Sequence, residues 1–212
     1  MIRITFNEVD VYATKRIVLE HFDITLPKPK LIKVSVPGRD GDLDMSEALT
    51  GYVNYHNREI KVQLGLTGSE VECEAKKQYL LNLVAGNEIK IRFSHLSGYF
   101  EGRCQSMQAV RSHRHYMVEL VFDCQPYRLA ESETTYTLSL TNTEQSLRCA
   151  NDTMPVVPTI VTTGITTIKF KSKTYSVQKG THRLGFIFGK GVNVISASGT
   201  GMLTVRFRKG VL

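Results

Sequence analysis

Three carboxylates at alternate positions, Asp40, Asp42 and Asp44, begin as a calcium loop begins, with acidic side chains spaced to converge on one hard cation. The rest of the stretch departs from that design. Its sixth position is Met45, where the sharp turn takes glycine, and its twelfth is Gly51, where a bidentate glutamate is needed. A conformational role fits the same residues: Gly38 and Gly41 free the backbone, and the carboxylates can receive turn N–H groups or pair with Arg39. His113 and His115 flank Arg114 in an expected hairpin turn and could hold a surface metal, but no third ligand lies near, so they read as solvated turn residues. The cysteines Cys73, Cys104, Cys124 and Cys149 stand 31, 20 and 25 positions apart, with no CxxC pair to seed a zinc ribbon. A hairpin turning near His113 would set Cys104 and Cys124 roughly opposite each other, as packed thiols without a bridge. The segment Gly185 to Gly191 is glycine-rich but lies among strands, with no helix N-terminus to receive a phosphate. No Gly-x-Ser-x-Gly elbow, Walker A loop, HExxH or strand-to-helix GxGxxG occurs. The expectation is a chain without catalysis, metal or cofactor.

Composition narrows the class. The 212 residues are 42% hydrophobic and 22% charged, ordinary globular values that exclude a disordered or collagen-like chain. No apolar run approaches the ~20 residues of a membrane span, and the alternating N-terminus lacks the pattern of a signal peptide, so neither insertion nor export is expected. Residues 153–212 hold nine basic side chains and no acidic one, against 18 basic and 20 acidic in residues 1–152. That split points to two units, the second facing something anionic: nucleic acid, an acidic protein or an anionic polymer. Lys169, Lys171, Lys173, Arg206, Arg208 and Lys209 are expected to form its basic outer face. Phe170, Tyr175, Phe186, Phe188 and Phe207 could stack on bases, but alternation, as in Phe186 and Phe188, favours one core-facing side of a strand.

The elements that must carry these residues are mostly strands. Ile2 to Phe6, Ile17 to Leu19, Leu31 to Val36 and Glu59 to Leu64 read as strands, with a long loop opening at Pro37. One helix is expected over about 69–85. Ser69-Glu70-Val71-Glu72 is a capping box, Val71, Cys73, Ala75, Tyr79, Leu80, Leu83 and Val84 supply its buried side, and Gly86-Asn87 stops it. Glu88 to Phe93, Tyr99 to Val110 and Tyr116 to Cys124 form a meander, and the polar segment from Arg128 to Thr135 is a linker. Thr137 to Leu212 is strand after short strand between prolines and glycines, the mark of a β-sandwich. The fold class is therefore mainly β (α+β), with one domain over 1–130 and another over 131–212.

The run Lys33 to Asp44, containing Val36-Pro37-Gly38-Arg39-Asp40-Gly41-Asp42-Leu43-Asp44, with Leu49-Thr50-Gly51 and Tyr55 to Ile60, resembles the N-terminal signature of siphophage distal tail proteins. Tyr99-Phe100-Glu101-Gly102-Arg103 is similar to that family's aromatic-x-G-R strand, and Phe122 to Tyr127 to the C-x-P-Y closure of its first domain. Pro158 to Gly164 and Gly189 to Phe207 resemble its small C-terminal sandwich. The resemblance implies a tail-tube-like first domain that joins edge to edge into a hexameric ring, and a galectin-like second domain. It implies a virion protein of the tail tip, phage or prophage, assembled in the host cytoplasm. Its partners would be further copies of itself, the tail tube above, and a tail-tip or tail-associated fibre or lysin protein below. DNA would pass through without specific binding. A receptor-binding protein would be a further partner, though not through the long arm that holds it in some members, for which the second domain is too short. Pro37, Gly38, Arg39, Asp40, Gly41, Asp42 and Asp44 are expected between subunits, and an acidic balance in the first unit would let DNA slide. The alternative reading is a module that binds cell-surface carbohydrate or an anionic polymer during host attachment.

Overall fold

The computed structural model describes residues 1–112 and 115–212, with the side chains of all of these except Arg111, Ser112 and His115. The expected histidine pair at 113 and 115 thus falls outside the described side chains. The chain divides into two compact units, residues 1–128 with Leu212, and residues 129–211. Counted to that boundary, the first unit holds 17 basic and 16 acidic residues and the second 10 and 4. The acidic balance expected for the first unit is corrected, because Glu131, Glu133, Glu144 and Asp152 belong to the second.

The first unit runs β1 (Ile4–Phe6), β2 (Val9–Asp10), α1 (Val11–Lys15), β3 (Val18–Ile24), β4 (Lys33–Ser35), β5 (Asp42–Asp44), β6 (Arg58–Leu66), α2 (Glu70–Val84), β7 (Glu88–Phe93), β8 (Phe100–Ser112) and β9 (His115–Cys124). Seven strands form one sheet in the order β2-β1-β7-β8-β9-β6-β3, each antiparallel to its neighbours. Period-two alternation builds its inner side: Ile60, Val62 and Leu64 of β6, Ile89, Ile91 and Phe93 of β7, and Val118, Leu120 and Phe122 of β9 are all buried. Helix α2 closes this core with Cys73, Leu80 and Val84. Its N-terminus is the expected capping box: Ser69 Oγ accepts from the Glu72 N–H, and the Glu72 carboxylate accepts from the Ser69 N–H at 2.7 Å. Those bonds hold the Glu72 carboxyl below its usual range. Gly86, at φ 76°, ends the helix.

Val71 and Ala75, expected inward, point to solvent, Val71 with 80% of its surface exposed. Each stands two residues from Cys73, about 200° around a helix of 3.6 residues per turn, which puts them opposite the buried stripe. The short α1 was not anticipated; Asp10 Oδ1 accepts from the Tyr12 and Ala13 N–H groups, and Arg16 closes the turn at φ 55°. All four cysteines are free. Gly102 faces Cys124 and Phe122 faces Cys104, so the expected Cys104 and Cys124 opposition is corrected by two rows. Burial pushes the Cys124 thiol up to about 12.

After β10 (Arg128–Leu129), the second unit runs β11 (Thr134–Leu140), β12 (Gln145–Asn151), β13 (Thr159–Thr162), β14 (Thr166–Phe170), β15 (Lys173–Val177), β16 (Gly180–His182), β17 (Gly191–Gly199), β18 (Gly201–Phe207) and β19 (Gly210–Val211). Two four-stranded sheets, β11-β18-β13-β16 and β12-β17-β14-β15, share one core. Ile160, Leu203, Val205 and Phe207 enter it from the first, and Cys149, Ile168, Phe170, Ile195 and Ala197 from the second. Phe186 and Phe188 are buried there, Phe186 stacked on Phe170 at 4.6 Å, which makes these rings packing groups and not base platforms. Turns interlock at one end, where a Cβ on Gly199 would lie 2.2 Å from the Ile165 carbonyl.

Replacing Ser69 by alanine removes a cap and should cost about 1 kcal/mol in a denaturant titration. Gly102→Ala should cost more, about 1–3 kcal/mol, because a Cβ there lies 2.3 Å from the Asp123 carbonyl and 2.6 Å from Cys124 Cα. An unchanged midpoint for Gly102→Ala would show that the β8 and β9 backbones can part at no cost.

Candidate functional site

The candidate surface is the panel of strands β8, β9, β6 and β3, which has a strand edge without a further neighbour on each side among the described residues. Its rows run Cys104, Phe122, Ile60 and Ile24 at one end and Val110, Met117, Gly65 and Val18 at the other. Between them lie rows through Ser106, Met107, Gln108 and Ala109, six rows that span all four strands, and β8 continues two rows further, with Arg111 opposite Tyr116 and Ser112 opposite His115. Strand β7 pairs with β8 only from Phe100 to Arg103, and β3 ends the sheet. Beyond Arg103, β8 has no second neighbouring strand among the described residues, and the outer side of β3 has none either. Each edge carries one register shift, at Glu20 in β3 and at Gln105 in β8. Exposed edges are normally blunted by charge or proline; β3 carries Glu20 and Asp23, whereas on β8 the stretch from Gln105 to Val110 has neither before Arg111.

The two faces of this panel differ in chemistry. One packs the core. The other, together with the adjoining row Arg103, Asp123 and Glu59, carries Glu20, Asp23, Glu59, Glu119 and Asp123 against Lys61 and Arg103. Glu20 lies over Gly65, filling the space where a Cβ would stand. Gln63 Nε2 donates to Glu119 at 3.0 Å, Asn57 Nδ2 donates to Asp123 at 2.9 Å, and Lys61 pairs with Glu59 at 3.2 Å. The face is acidic although the unit as a whole is close to neutral, a partition that composition could not reveal.

Residues 25–57 leave the panel at the β3 edge as an arm. Thr25 N–H donates to the Glu59 carbonyl, Lys30 N–H to Asn54 and His56 N–H to Lys28, which forms a stem. Tyr55 meets Tyr127 edge-on at 6.1 Å, and the buried Arg58 guanidinium donates to the Pro126 carbonyl while lying over the Phe100 ring. Above the stem, β4 and β5 pair only with each other. Pro37, Gly38, Arg39, Asp40 and Gly41 form the exposed turn, with Gly38 at φ 81° and Gly41 at φ 73°. Asp42 to Asp44 is strand and not loop, which corrects that part of the expectation. The strand expected from Leu31 to Val36 shortens to Lys33–Ser35. Asp44 Oδ1 accepts from the Ser46 N–H at 2.9 Å, and Ser46 Oγ accepts from the Ile32 N–H; hydrogen bonding to the Ser46 side chain and backbone lowers the Asp44 pKa. The carboxylate therefore starts a turn. Among the described residues no group of three His, Cys, Asp or Glu side chains is arranged to hold a metal.

The six cations expected on one basic face are divided. Lys169 and Lys173 belong to the β12-β17-β14-β15 sheet, Lys171 to the turn joining β14 and β15, and Arg206 to the opposite sheet. Lys169 pairs with Glu144 at 2.6 Å and Lys209 with Asp152 at 2.7 Å. Arg208 lies 3.7 Å from Glu133 and donates to the carbonyls of Ala130 and Glu131. Acidic residues of 131–152, counted with the first unit by composition, neutralise part of the charge.

No protein-family profile matches the chain, and no curated protein does. Among solved structures it is similar to the crystal structure of the SPP1 Dit protein (gp 19.1), described as a paradigm of the hub adsorption apparatus in phages that infect Gram-positive bacteria. The superposition has a TM-score of 0.74 with 15% identical residues and covers 100% of both chains. At that identity the likeness is one of fold, and it extends over both units: the chain has the two-unit, β-rich fold of a siphophage distal tail protein.

Proposed function

We propose that this chain is a non-enzymatic virion protein of the distal end of a long non-contractile phage tail. It works as a homo-oligomeric ring that joins the tail tube to the tail-tip proteins. The observation that carries the reading is the similarity to SPP1 Dit along the full length of both chains. A hub must assemble, and the four-stranded panel supplies a physical route. With an even number of antiparallel strands, a second copy added head to tail sets its β8 antiparallel to the first copy's β3. Each seam then repeats the antiparallel pairing found inside the panel, with the six rows of β3 laid along part of the longer edge of β8. Such heterologous contacts close into a ring when the rotation per copy divides a full turn.

In this reading the ring is hexameric and the acidic panel face lines its lumen, where carboxylates repel passing DNA phosphates. The hairpin segment from Pro37 to Asp44 contacts neighbouring copies, and the second unit is a galectin-like sandwich. The chain assembles in the host cytoplasm and ends in the tail tip between tube and fibre or lysin protein. Attachment of a carbohydrate or anionic polymer by the second unit is the weaker reading, since its cations are split between two sheets and partly paired.

Native mass spectrometry with negative-stain microscopy over a concentration series tests the ring. A closed species of six copies is expected, and a monomer at every concentration would overturn the reading. Arg39→Ala should lower the ring population at limiting concentration; an unchanged population would remove the turn from the interface.

A further inference from the structure

Half of one strand in the second unit stands without a neighbour on one side. Strand β17 pairs with β12 from Gly191 to Ala197, but with β14 only from Ser196 to Gly199, because β14 ends at Phe170 and the chain turns into β15. A side chain shows which way the unpaired groups point. Ala150 N–H donates to the Tyr136 hydroxyl at 3.1 Å, and that hydroxyl donates to the Ala150 carbonyl at 3.3 Å, so the Ala150 backbone points away from β17. In an antiparallel ladder the residue opposite then points away as well. The N–H and C=O of Val192, and by the period of two those of Val194, are therefore turned toward the lane in which β14 stops short. Ser196 and Ser198 meet Lys169 and Thr167 in that lane, whereas Val192 and Val194 meet no strand there among the described residues.

The side chains around this open stretch set a chemical preference. Val192 is 55% and Val194 44% exposed, with Ala150 beside the first and Arg148 beside the second. Lys171 stands in the turn that ends β14, and Lys190 precedes Gly191 at the other end. Arg148, Lys171 and Lys190 are exposed, and none forms a salt bridge among the described residues; Asp152, which senses Lys190, is paired with Lys209 at 2.7 Å. We infer that β17 accepts an extended acidic segment of another protein along Gly191 to Ile195, in line with β14. The unpaired backbone of a strand matches another peptide backbone, which selects a polypeptide over an anionic polymer. The cations select carboxylates on that segment, and the exposed valines select aliphatic residues at every second position. This chain's own alternating acidic run, Asp40, Asp42 and Asp44, is tied into the hairpin of β4 and β5, which leaves a different protein as the source. The site lies within one unit and goes beyond the ring reading without depending on it.

The test uses the full chain and a short capped peptide that alternates glutamate and valine, followed by fluorescence anisotropy. Saturable binding is expected. The same peptide N-methylated along the edge that faces β17 should bind at least about tenfold more weakly, because ladder bonds are lost while charge and composition stay. Val194→Pro removes an N–H that no described residue uses, and should weaken the unmodified peptide to a similar extent. If that variant also lowers the unfolding temperature, the N-methylated peptide on the wild-type chain keeps the test decisive. Equal binding of the two peptides, or binding of poly(glycerol phosphate) as tight as that of the unmodified peptide, would assign the cations to an anionic polymer and overturn the strand site. Absence of saturable peptide binding would overturn it too. Either failure leaves the ring untouched, since ring formation is read separately by mass.

Discussion

Unpaired backbone at a sheet edge is the constraint on which the rest of the first unit depends. An antiparallel strand with only one neighbour presents a row of N–H and C=O groups whose next best partner is another strand. Most proteins cover such rows. Here, among the described residues, one sheet has two rows without a second neighbouring strand: β8 beyond Arg103, where Gln105 to Val110 brings no charge or proline, and β3, which is extended from Val18 to Ile24 and carries Glu20 and Asp23. Helix α2 contributes by packing its Cys73, Leu80 and Val84 stripe on the core side, which leaves the other face and both flanks open. A bulge on each edge adds local twist.

Charge follows from the same alternation. In β6 every second residue from Ile60 to Leu64 enters the core, which sends Glu59, Lys61 and Gln63 outward, and β9 does the same with Glu119 and Asp123. Neighbouring strands in register then gather carboxylates that sequence scatters over a hundred positions. The cations of the second unit show the converse. Register sends Lys169 and Arg206 to different sheets, and folding brings Glu144 and Asp152 to Lys169 and Lys209. The net charge of a segment therefore said little about the charge of a surface.

Local patterns were legible where local physics decides. The capping box at Ser69, the glycine stop at Gly86, the β7 to β9 meander and the β-rich class with one main helix all follow from spacing and turn chemistry, and the structure has them. Helix α1 was missed because its signal is one carboxylate, Asp10, and a left-handed Arg16 that no propensity favours. Val71 and Ala75 were placed inward because they are apolar, although their angle from Cys73 sets them opposite. The candidate site was legible only in part. Its turn showed in Pro37 to Gly41, whereas the free edges depend on which strands pair across eighty residues, and no local pattern encodes that.

The arm shows the limit of alternation itself. Leu31-Ile32-Lys33-Val34-Ser35-Val36 has the pattern of a half-buried strand, and Lys33, Val34 and Ser35 do form a strand, but an exposed one. Alternation reports that a strand has an apolar side; whether anything covers that side depends on the rest of the molecule. In β6 and β9 the apolar side meets α2 and the opposing strands and reaches full burial. In β4 and β5 the same pattern meets only its hairpin partner, because the stem at Lys28 to Lys30 and Asn54 to His56 carries the strands beyond the core. Two segments with one grammar therefore have opposite fates, and the difference is set by where the chain leaves the sheet.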